Sequence, residues 1–424
     1  MSRLNRRNAI ILLMSAALFG GLYTGWPFFY TFAYMLAFIL LVSFGWAWAS
    51  LRYTDFSRST RTRRTQVGRP LEERFLIKNT SRIPKLPLEV LDYSDVPAHQ
   101  ASHVVSGLWG NQSTQWRVQT ICRQRGRYQL GPMMLRTSDP FGLFTLEKPL
   151  EVTANVVIFP LSVPVSDFVL PAGVLSGGDA LRRKTHFVTT NAAGVRDYAP
   201  GDSFNRIHWK SSARRNRLIV KEFELDPLAD IWIVPDMSVY DQAAAENVVS
   251  GISANRLDAL KMLELARFEL PATTEEYIVT IGASLSEYFL KSNRSVGMMA
   301  YGHTNEIVQP DRGVRQETKI FETLSVLRAE GAIAPENLLL NESRVFPRGS
   351  TVIVITPTTR PEWGEAARQL RQRGLRVVTV LVDPSSFGGN RSNEFLVQDL
   401  QGREMGVILV KQGDDIGNVL STSR

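Results

Sequence analysis

From Asn8 to Leu51 the chain carries no Asp, Glu, Lys, Arg or His, and most of its side chains are Leu, Ile, Ala, Phe, Tyr or Trp. A membrane-crossing helix needs about 20 apolar residues, so this stretch has room for two. The segment "YTGWPFF" divides it: Gly25 and Pro27 interrupt a helix, while Tyr23 and Trp26 suit a membrane–water interface. The spacing predicts spans at residues 9–23 and 27–51, the first of them short. Arginines flank both outer ends and none lies in the turn, which places both chain ends in the cytoplasm by the positive-inside rule. "MSRLNRR" before an apolar run also resembles a secretory leader, but cleavage after the first run still leaves a span. The expectation is a multi-pass protein of the inner (cytoplasmic) membrane with its soluble domains in the cytoplasm. A single cysteine, Cys122, excludes an intrachain disulfide and agrees with a reducing compartment.

The formal charge of +8 suggests nucleic acid until it is located. Up to Pro70 there are nine arginines against Asp55 alone, so the excess belongs to the N-terminal region and the remainder is balanced. No nucleic-acid partner is expected. Residues 52–66 are polar and basic and read as a juxtamembrane linker lying against anionic headgroups. Residues 67–160 show short alternating or β-branched runs between Gly, Pro, Asn-Thr and Asp-Pro turns, the texture of a small antiparallel β-sandwich. Residues 161–227 form a linker plus a polar segment expected to pack on the domain that follows. From 228 to 424 strands such as "DIWIVPD", "STVIVITP" and "LRVVTVLVDP" alternate with amphipathic helices, predicting an α/β domain with a mostly parallel sheet. The stretch 241–273 fits that alternation poorly and reads as a partly helical insertion.

Several chemistries are absent. There is no Gly-Lys dipeptide and hence no P-loop, no H-E-x-x-H zinc helix and no G-x-S-x-G nucleophile elbow. His99 and His103 stand four apart but lie in β-like sequence with no third ligand nearby. Asp236 ends the first strand of the α/β region, where open parallel sheets place ligands. "Asp236-Met-Ser238-Val-Tyr240" resembles the D-x-S-x-S metal motif of von Willebrand factor A domains, but Tyr240 replaces its last serine. The third motif loop ends "VIVITPTTR", with Thr356 where an Asp is expected, and "EGAIAPENLL" offers no middle threonine. Mg²⁺ is therefore expected to bind weakly or not at all, with Asp236 and Ser238 capping a loop. No other cofactor is implied.

The segment "GVRDYAPGDSFNRIHWKSSARRNRLIVKEFE" is the most concentrated cluster of chemistry in the chain. Pro200-Gly201 makes a turn and Asp202 is a natural N-cap, predicting a helix over 203–216. Asp202, Arg206, Lys210 and Arg214 then recur every fourth residue as one stripe, and "RLIVKEFELDP" alternates as a strand able to join the sheet edge. This segment resembles the signature of the bacterial domain-of-unknown-function family number fifty-eight, carried by Arg196, Tyr198, Pro200, Gly201, Asp202, Arg206, Ile207, His208, Trp209, Lys210, Ala213 and Arg214. A second block, "RGRYQLGPMMLRTSDPFGLF", is similar to the same family. The resemblance implies a membrane-anchored, A-domain-bearing partner of a MoxR-type AAA+ ATPase, acting in maturation or assembly of other proteins. It implies no catalytic residues and no oligomeric state.

Three roles fit the segment. It is a buried polar bracket with Trp209 beneath its ion pairs, a partner-binding surface, or a working site: an enzyme using Arg196, Asp202, His208 and Lys210, or an anionic-ligand binder using the basic segment around Arg206, Trp209 and Lys210. The bracket, joined to an adaptor role for the whole protein, is the favoured expectation. Burial of Trp209 separates the first role from the others.

Overall fold

Arg6–Thr24 (α1) and Pro27–Arg52 (α2) are helices separated where Gly25 takes φ 70° and Pro27 opens a new first turn. The computed structural model describes residues 6–168, 192–198, 207–223, 230–245 and 270–421. Both helices are long and apolar enough to cross a membrane, with mean hydropathy 1.3 and 2.0. Gly20 and Gly21 lie against the rings of Phe29 and Tyr30, so α1 turns back along α2. The chain divides into two compact units, Met1–Pro160 and Leu161–Arg424.

In the first unit β1 (Thr54–Thr60), β2 (Arg64–Gln66), β3 (Pro70–Asn79), β4 (Leu88–Asp92) and β5 (His103–Val105) are followed by β6 (Ser113–Ile121), β7 (Gly126–Leu130), β8 (Met133–Ser138), β9 (Thr145–Leu150) and β10 (Ala154–Phe159). They form three sheets, ordered β1-β3-β6, β5-β4-β8-β9 and β2-β10-β7. Phe75 and Ile77 from the first sheet share a core with Leu88, Val90, Val105, Met133, Leu135 and Leu150 from the second. Leu51 of α2 belongs to the same core, so the end of the second apolar helix is packed on protein.

The expected linker at 52–66 is strand instead. Thr54 to Thr60 pair with Asn79 to Glu73, and β2 pairs parallel with β10. Its polarity misled because period-2 alternation turns Arg58 inward. The Arg58 guanidinium donates to both Glu73 carboxylate oxygens at 2.8 Å and reaches Asp92 at 3.4 Å. His99 completes the cluster: Nε2 lies 3.0 Å from Glu73 and 3.3 Å from Asp92, and Nδ1 meets Thr120 Oγ1 at 2.8 Å. All four side chains are at most 3% exposed. Two cations and two anions balance, which is what tolerates charge at this depth. His103, the other half of the considered metal pair, sits on β5 and stacks on Trp116 at 4.8 Å.

The second unit begins with residues 161–168, which are tied to it: Val163 N donates to Ser284 Oγ and Phe168 N to Tyr288 Oη. β11 (Ala192–Asp197) and β12 (Ile219–Phe223), with α3 (Trp209–Arg215) between them, make a separate two-stranded antiparallel sheet. Among the described residues β12 does not join the edge of the large sheet, contrary to the sequence expectation. That sheet contains β13 (Ile231–Pro235), β14 (Val296–Tyr301), β15 (Asn305–Asp311), β16 (Thr351–Thr356), β17 (Arg376–Val382) and β18 (Gly406–Val410). Its order is β15-β14-β13-β16-β17-β18, parallel except for β15. The accompanying helices are α4 (Thr274–Lys291), α5 (Val314–Val326), α6 (Pro335–Asn341), α7 (Glu362–Gln372), α8 (Glu394–Gly402) and α9 (Ile416–Ser421). Strands β13 and β16 are wholly buried, which is why they read as continuous apolar runs. Most of the poorly fitting stretch after Asp241 lies outside the described residues.

The ion cluster has a pH signature. Burial opposes charge on His99, but the Asp92 and Glu73 carboxylates outweigh it and hold the imidazole up at about 9, against an ordinary 6.5. Burial likewise works against ionised Glu73, but His99 and Arg58 bring its carboxyl down to about 2, from 4.5. The raised His99 contributes stability that is complete below pH 6.5 and lost as pH rises through about 9. The depressed Glu73 contributes above pH 4.5 and is lost as pH falls through about 2. Thermal unfolding of the full chain in detergent should therefore weaken between pH 6.5 and 9. His99→Gln should flatten that limb and cost about 3–5 kcal/mol at pH 6, since it leaves two carboxylates facing one guanidinium. Identical pH profiles for the two proteins would contradict the charged quartet.

Candidate functional site

Two places collect the residues singled out in the sequence. The first is the signature segment. Its expected helix over 203–216 begins only at Trp209, because Ile207 bridges to Val220 in extended backbone and His208 sits at φ −89°, ψ 82°. His208 replaces Asp202 as the N-cap: its Nδ1 accepts from Ser211 N at 3.2 Å and meets Ser211 Oγ at 2.7 Å. Asn216 closes the helix in the left-handed region, φ 51°. Gly201, Asp202 and Arg206 lie outside the described residues, and Arg196 is placed by its backbone on β11, opposite Val220. Lys210 and Arg214 do share a helix face. The rest of the expected stripe, Asp202 and Arg206, lies outside the described residues, and the backbone at 207 is extended.

Helix α3 is fastened from below. Ser212 Oγ accepts from Ile219 N at 2.9 Å, His208 N donates to Ile219 O at 2.8 Å, and Tyr198 N donates to Leu218 O at 2.9 Å. Ile207, Ile219 and Val220 are buried under it. The outer side is the reverse of the bracket expectation: Trp209 is 67% exposed, and Lys210, Arg214 and Arg215 are exposed around it. A bracket needs the indole beneath the cations, and here it stands beside them in the open. The His208 ring, engaged at Nδ1 in capping, is half-buried.

The second place is the carboxyl end of the large sheet. Asp236 is buried; its Oδ1 accepts from Ser238 N at 3.0 Å and its Oδ2 from the Thr356 hydroxyl at 2.6 Å. Residues that sequence reading passed over complete the joint. Asp241 Oδ2 accepts from Thr359 N at 3.0 Å, and Thr274 Oγ1 donates to Gln242 Oε1 at 2.6 Å. Gln242 Nε2 donates to Ser238 O at 3.0 Å. Tyr240, where the metal motif has serine, lies under the Arg360 guanidinium at 4.3 Å and donates to Ala332 O. Arg360 also pairs with Glu336 at 3.2 Å.

This donor set is a poor match for a hard divalent cation, which takes six or more oxygen ligands. Tyr240 and Thr356 stand where the motif has a serine and an aspartate, and each Asp236 oxygen accepts one hydrogen bond from the protein. Among the described residues no three His, Cys, Asp or Glu side chains gather around a common point. Burial pushes the Asp236 carboxyl up to about 6, against the opposing Thr356 and Ser238 hydrogen bonds.

Two measurements follow from this joint. Calorimetric titration with Mg²⁺ should show no saturable site, and a site abolished by Asp236→Ala would overturn that. A carboxyl raised from 3.8 to about 6 makes folding less favourable as pH rises through that window. The stability of Asp236→Asn relative to the unaltered protein should therefore improve, by on the order of 2–3 kcal/mol, between pH 4 and pH 7. A pH-independent difference would contradict the buried, raised carboxyl.

Comparison with known proteins bears on the signature segment directly. Residues 194–250 match the family model described as "Protein of unknown function DUF58". YeaD, an uncharacterized protein of Bacillus subtilis (strain 168), is 26% identical over 295 residues, 68% of this chain; the chain spans 64% of that relative's length. Among solved structures, the conserved hypothetical protein BatB from Bacteroides thetaiotaomicron is similar over 46% of this chain and 96% of its own, at 17% identity and TM-score 0.31. The CARDB domain of a Pyrococcus furiosus protein is similar over 26% of this chain and 96% of its own, at 15% identity and TM-score 0.19. Both TM-scores are too low to establish a common fold. Arg196, Tyr198, His208, Trp209, Lys210 and Arg214 lie inside the segment matched by the DUF58 model, a family of unknown function, and the Bacillus relative extends the similarity well beyond it.

Proposed function

We propose that the protein is a membrane-anchored adaptor that presents its α/β unit, in the cytoplasm, to a MoxR-type AAA+ ATPase during maturation or assembly of other proteins. The exposed Trp209 on α3, a helix that also exposes Lys210, Arg214 and Arg215, carries this reading. A lone aromatic among basic side chains, held on a helix fixed from beneath, has the composition of an interface anchor. The surrounding cations favour a partner with an acidic patch and speed the encounter. α1 and α2 supply the anchor, and arginines at their outer ends support a cytoplasmic location for the units that follow.

The sheet order, with its one antiparallel strand beside β14 and an Asp at the end of β13, supports a von Willebrand A-like reading of the second unit. The core shared by two antiparallel sheets supports a β-sandwich reading of the first. The Asp236 joint favours binding over metal-assisted chemistry, because Tyr240 and Thr356 stand where the metal motif has a serine and an aspartate and the Asp236 oxygens each accept from a protein donor.

The test is affinity capture from native membranes, with and without ATP, combined with thermal stability. Trp209→Ala should change stability by no more than about 0.5 kcal/mol, as exposed substitutions do, and should abolish copurification of the ATPase. Lys210→Ala with Arg214→Ala should weaken capture, more so as salt is raised. A stable Trp209→Ala protein that captures the ATPase as well as the unaltered one would refute α3 as the working surface. A Trp209→Ala protein that unfolds would restore the bracket.

A further inference from the structure

The second block of family resemblance, "RGRYQLGPMMLRTSDPFGLF", is absorbed by none of the foregoing. It forms β7, β8 and the turn into β9. That turn is rigidly built. The Asp139 carboxylate accepts from Phe141 N at 2.9 Å and from Leu143 N and Phe144 N at 2.7 Å each, and Gly142 takes φ 68° to close the loop. Burial would raise the Asp139 carboxyl, but these three backbone donors outweigh it and hold the group below its ordinary range. Leu143 is tucked in, whereas Phe141 at the tip is 57% exposed.

The position of this tip is unusual. At the base of the hairpin, Met133 and Leu150 share the core with Leu51 of α2. At the tip, the Phe144 ring meets Phe44 at 5.6 Å and lies beneath the Arg7 guanidinium at 6.0 Å. The hairpin thus runs back along the last turns of α2 toward the start of α1. Arg6 is there too, with Nη1 3.6 Å from where a Cβ on Gly142 would stand.

Arg7 and Phe44 flank one ring, so the paired part of the two helices ends at that level. α1 as a whole, from Arg6 to the Gly25 turn, has 19 residues, about 28 Å of helix, which matches a hydrocarbon core of about 30 Å. The outward side chains of the two helices, including Leu12, Phe19 and Leu22 of α1 and Phe38 of α2, are exposed and apolar. Beyond that level Ala47, Ser50 and Leu51 of α2 are buried. The tip therefore stands where apolar helix surface gives way to arginine.

From this we infer that the β8–β9 turn is a third membrane contact, with Phe141 seated in the headgroup layer of the bilayer that α1 and α2 cross and Arg6 and Arg7 facing lipid phosphates beside it. The inference rests on the membrane-anchor reading of those helices. Charge complementarity with phosphate and continuity with the apolar helix surface select a lipid occupant over a protein one. An aromatic at this depth, beside arginines that reach outward to water, is the arrangement an interface favours. The turn's internal hydrogen bonds pair the amides of Phe141, Gly142, Leu143 and Phe144 before it meets that layer.

The test uses the full chain in nanodiscs of phosphatidylcholine and phosphatidylglycerol. A bimane label on Phe141→Cys is compared with one on Phe38→Cys, and quenching is read from lipids bearing a nitroxide at the headgroup or deep in the acyl chain. Cys122 does not compete for label, because it is buried and burial pushes its thiol up to about 11. The label at 141 should show a roughly two-fold loss of emission with the headgroup nitroxide and little with the deep one, while the label at 38 shows the reverse. Quenching at 38 with none at 141 would overturn this inference and leave the anchor intact. Quenching at neither position would overturn the anchor and this contact together.

Discussion

The lysine that caps α2 decides how the first unit is assembled. A helix ends with carbonyls that have no partner within it, and in a buried setting each is costly to leave unmet. Lys85 Nζ donates to Ala49 O at 2.7 Å and Ser50 O at 2.9 Å, and Thr54 Oγ1 adds a bond to Ser50 O at 2.7 Å. Burial pulls the Lys85 ammonium down to about 8, opposed by the negative end of the helix dipole that it faces. With its end fixed, α2 delivers Leu51 into the core and Thr54 into register opposite Asn79. That register places Thr60 across from Glu73, and Arg58 two residues away on the same face. A slip of one residue would turn Arg58 out to solvent and strand Glu73 in the core.

This explains which parts of the fold were legible in the sequence. The two apolar helices and the buried strands of the α/β unit were readable because burial on all sides leaves uninterrupted apolar runs, as in "DIWIVPD" and "STVIVITP". The strand at Thr54–Thr60 was not, because its arginine was counted as solvated when its counter-charges lie elsewhere in the chain. A signal existed in "LEERFLIKN": Leu71, Phe75 and Ile77 alternate with exposed residues, and Glu73 falls on their side. A carboxylate on an apolar face demands a cation, and the sequence does not say that Arg58 and His99 supply it.

The signature segment failed for a different reason. Spacing of four residues is necessary for a helical stripe but does not make a helix, and the Ile207–Val220 bridge holds the chain in extended form within the first half of the supposed one. The exposure of Trp209 was equally hidden, since no local pattern says which side of a short helix another element covers. Here β12 covers the Ser212 side, so the indole is left outward.

The carboxyl end of the large sheet shows how a motif can keep its shape while changing its chemistry. Were an Asp to stand at 356, two carboxylates would face each other across hydrogen-bonding distance, and both could only accept. A cation or a shared proton would then be needed between them. Thr356 carries a proton to donate, and at 2.6 Å it gives that proton to Asp236 directly. The same replacement logic holds at 240, where a tyrosine exchanges a small oxygen ligand for a ring that an arginine covers. The joint between β13 and β16 is thus closed by the protein itself. Hydrogen bonds from Ser238 N and Thr356 hold the Asp236 side chain at the end of the sheet, whereas on α3 Trp209 and the basic side chains remain uncovered.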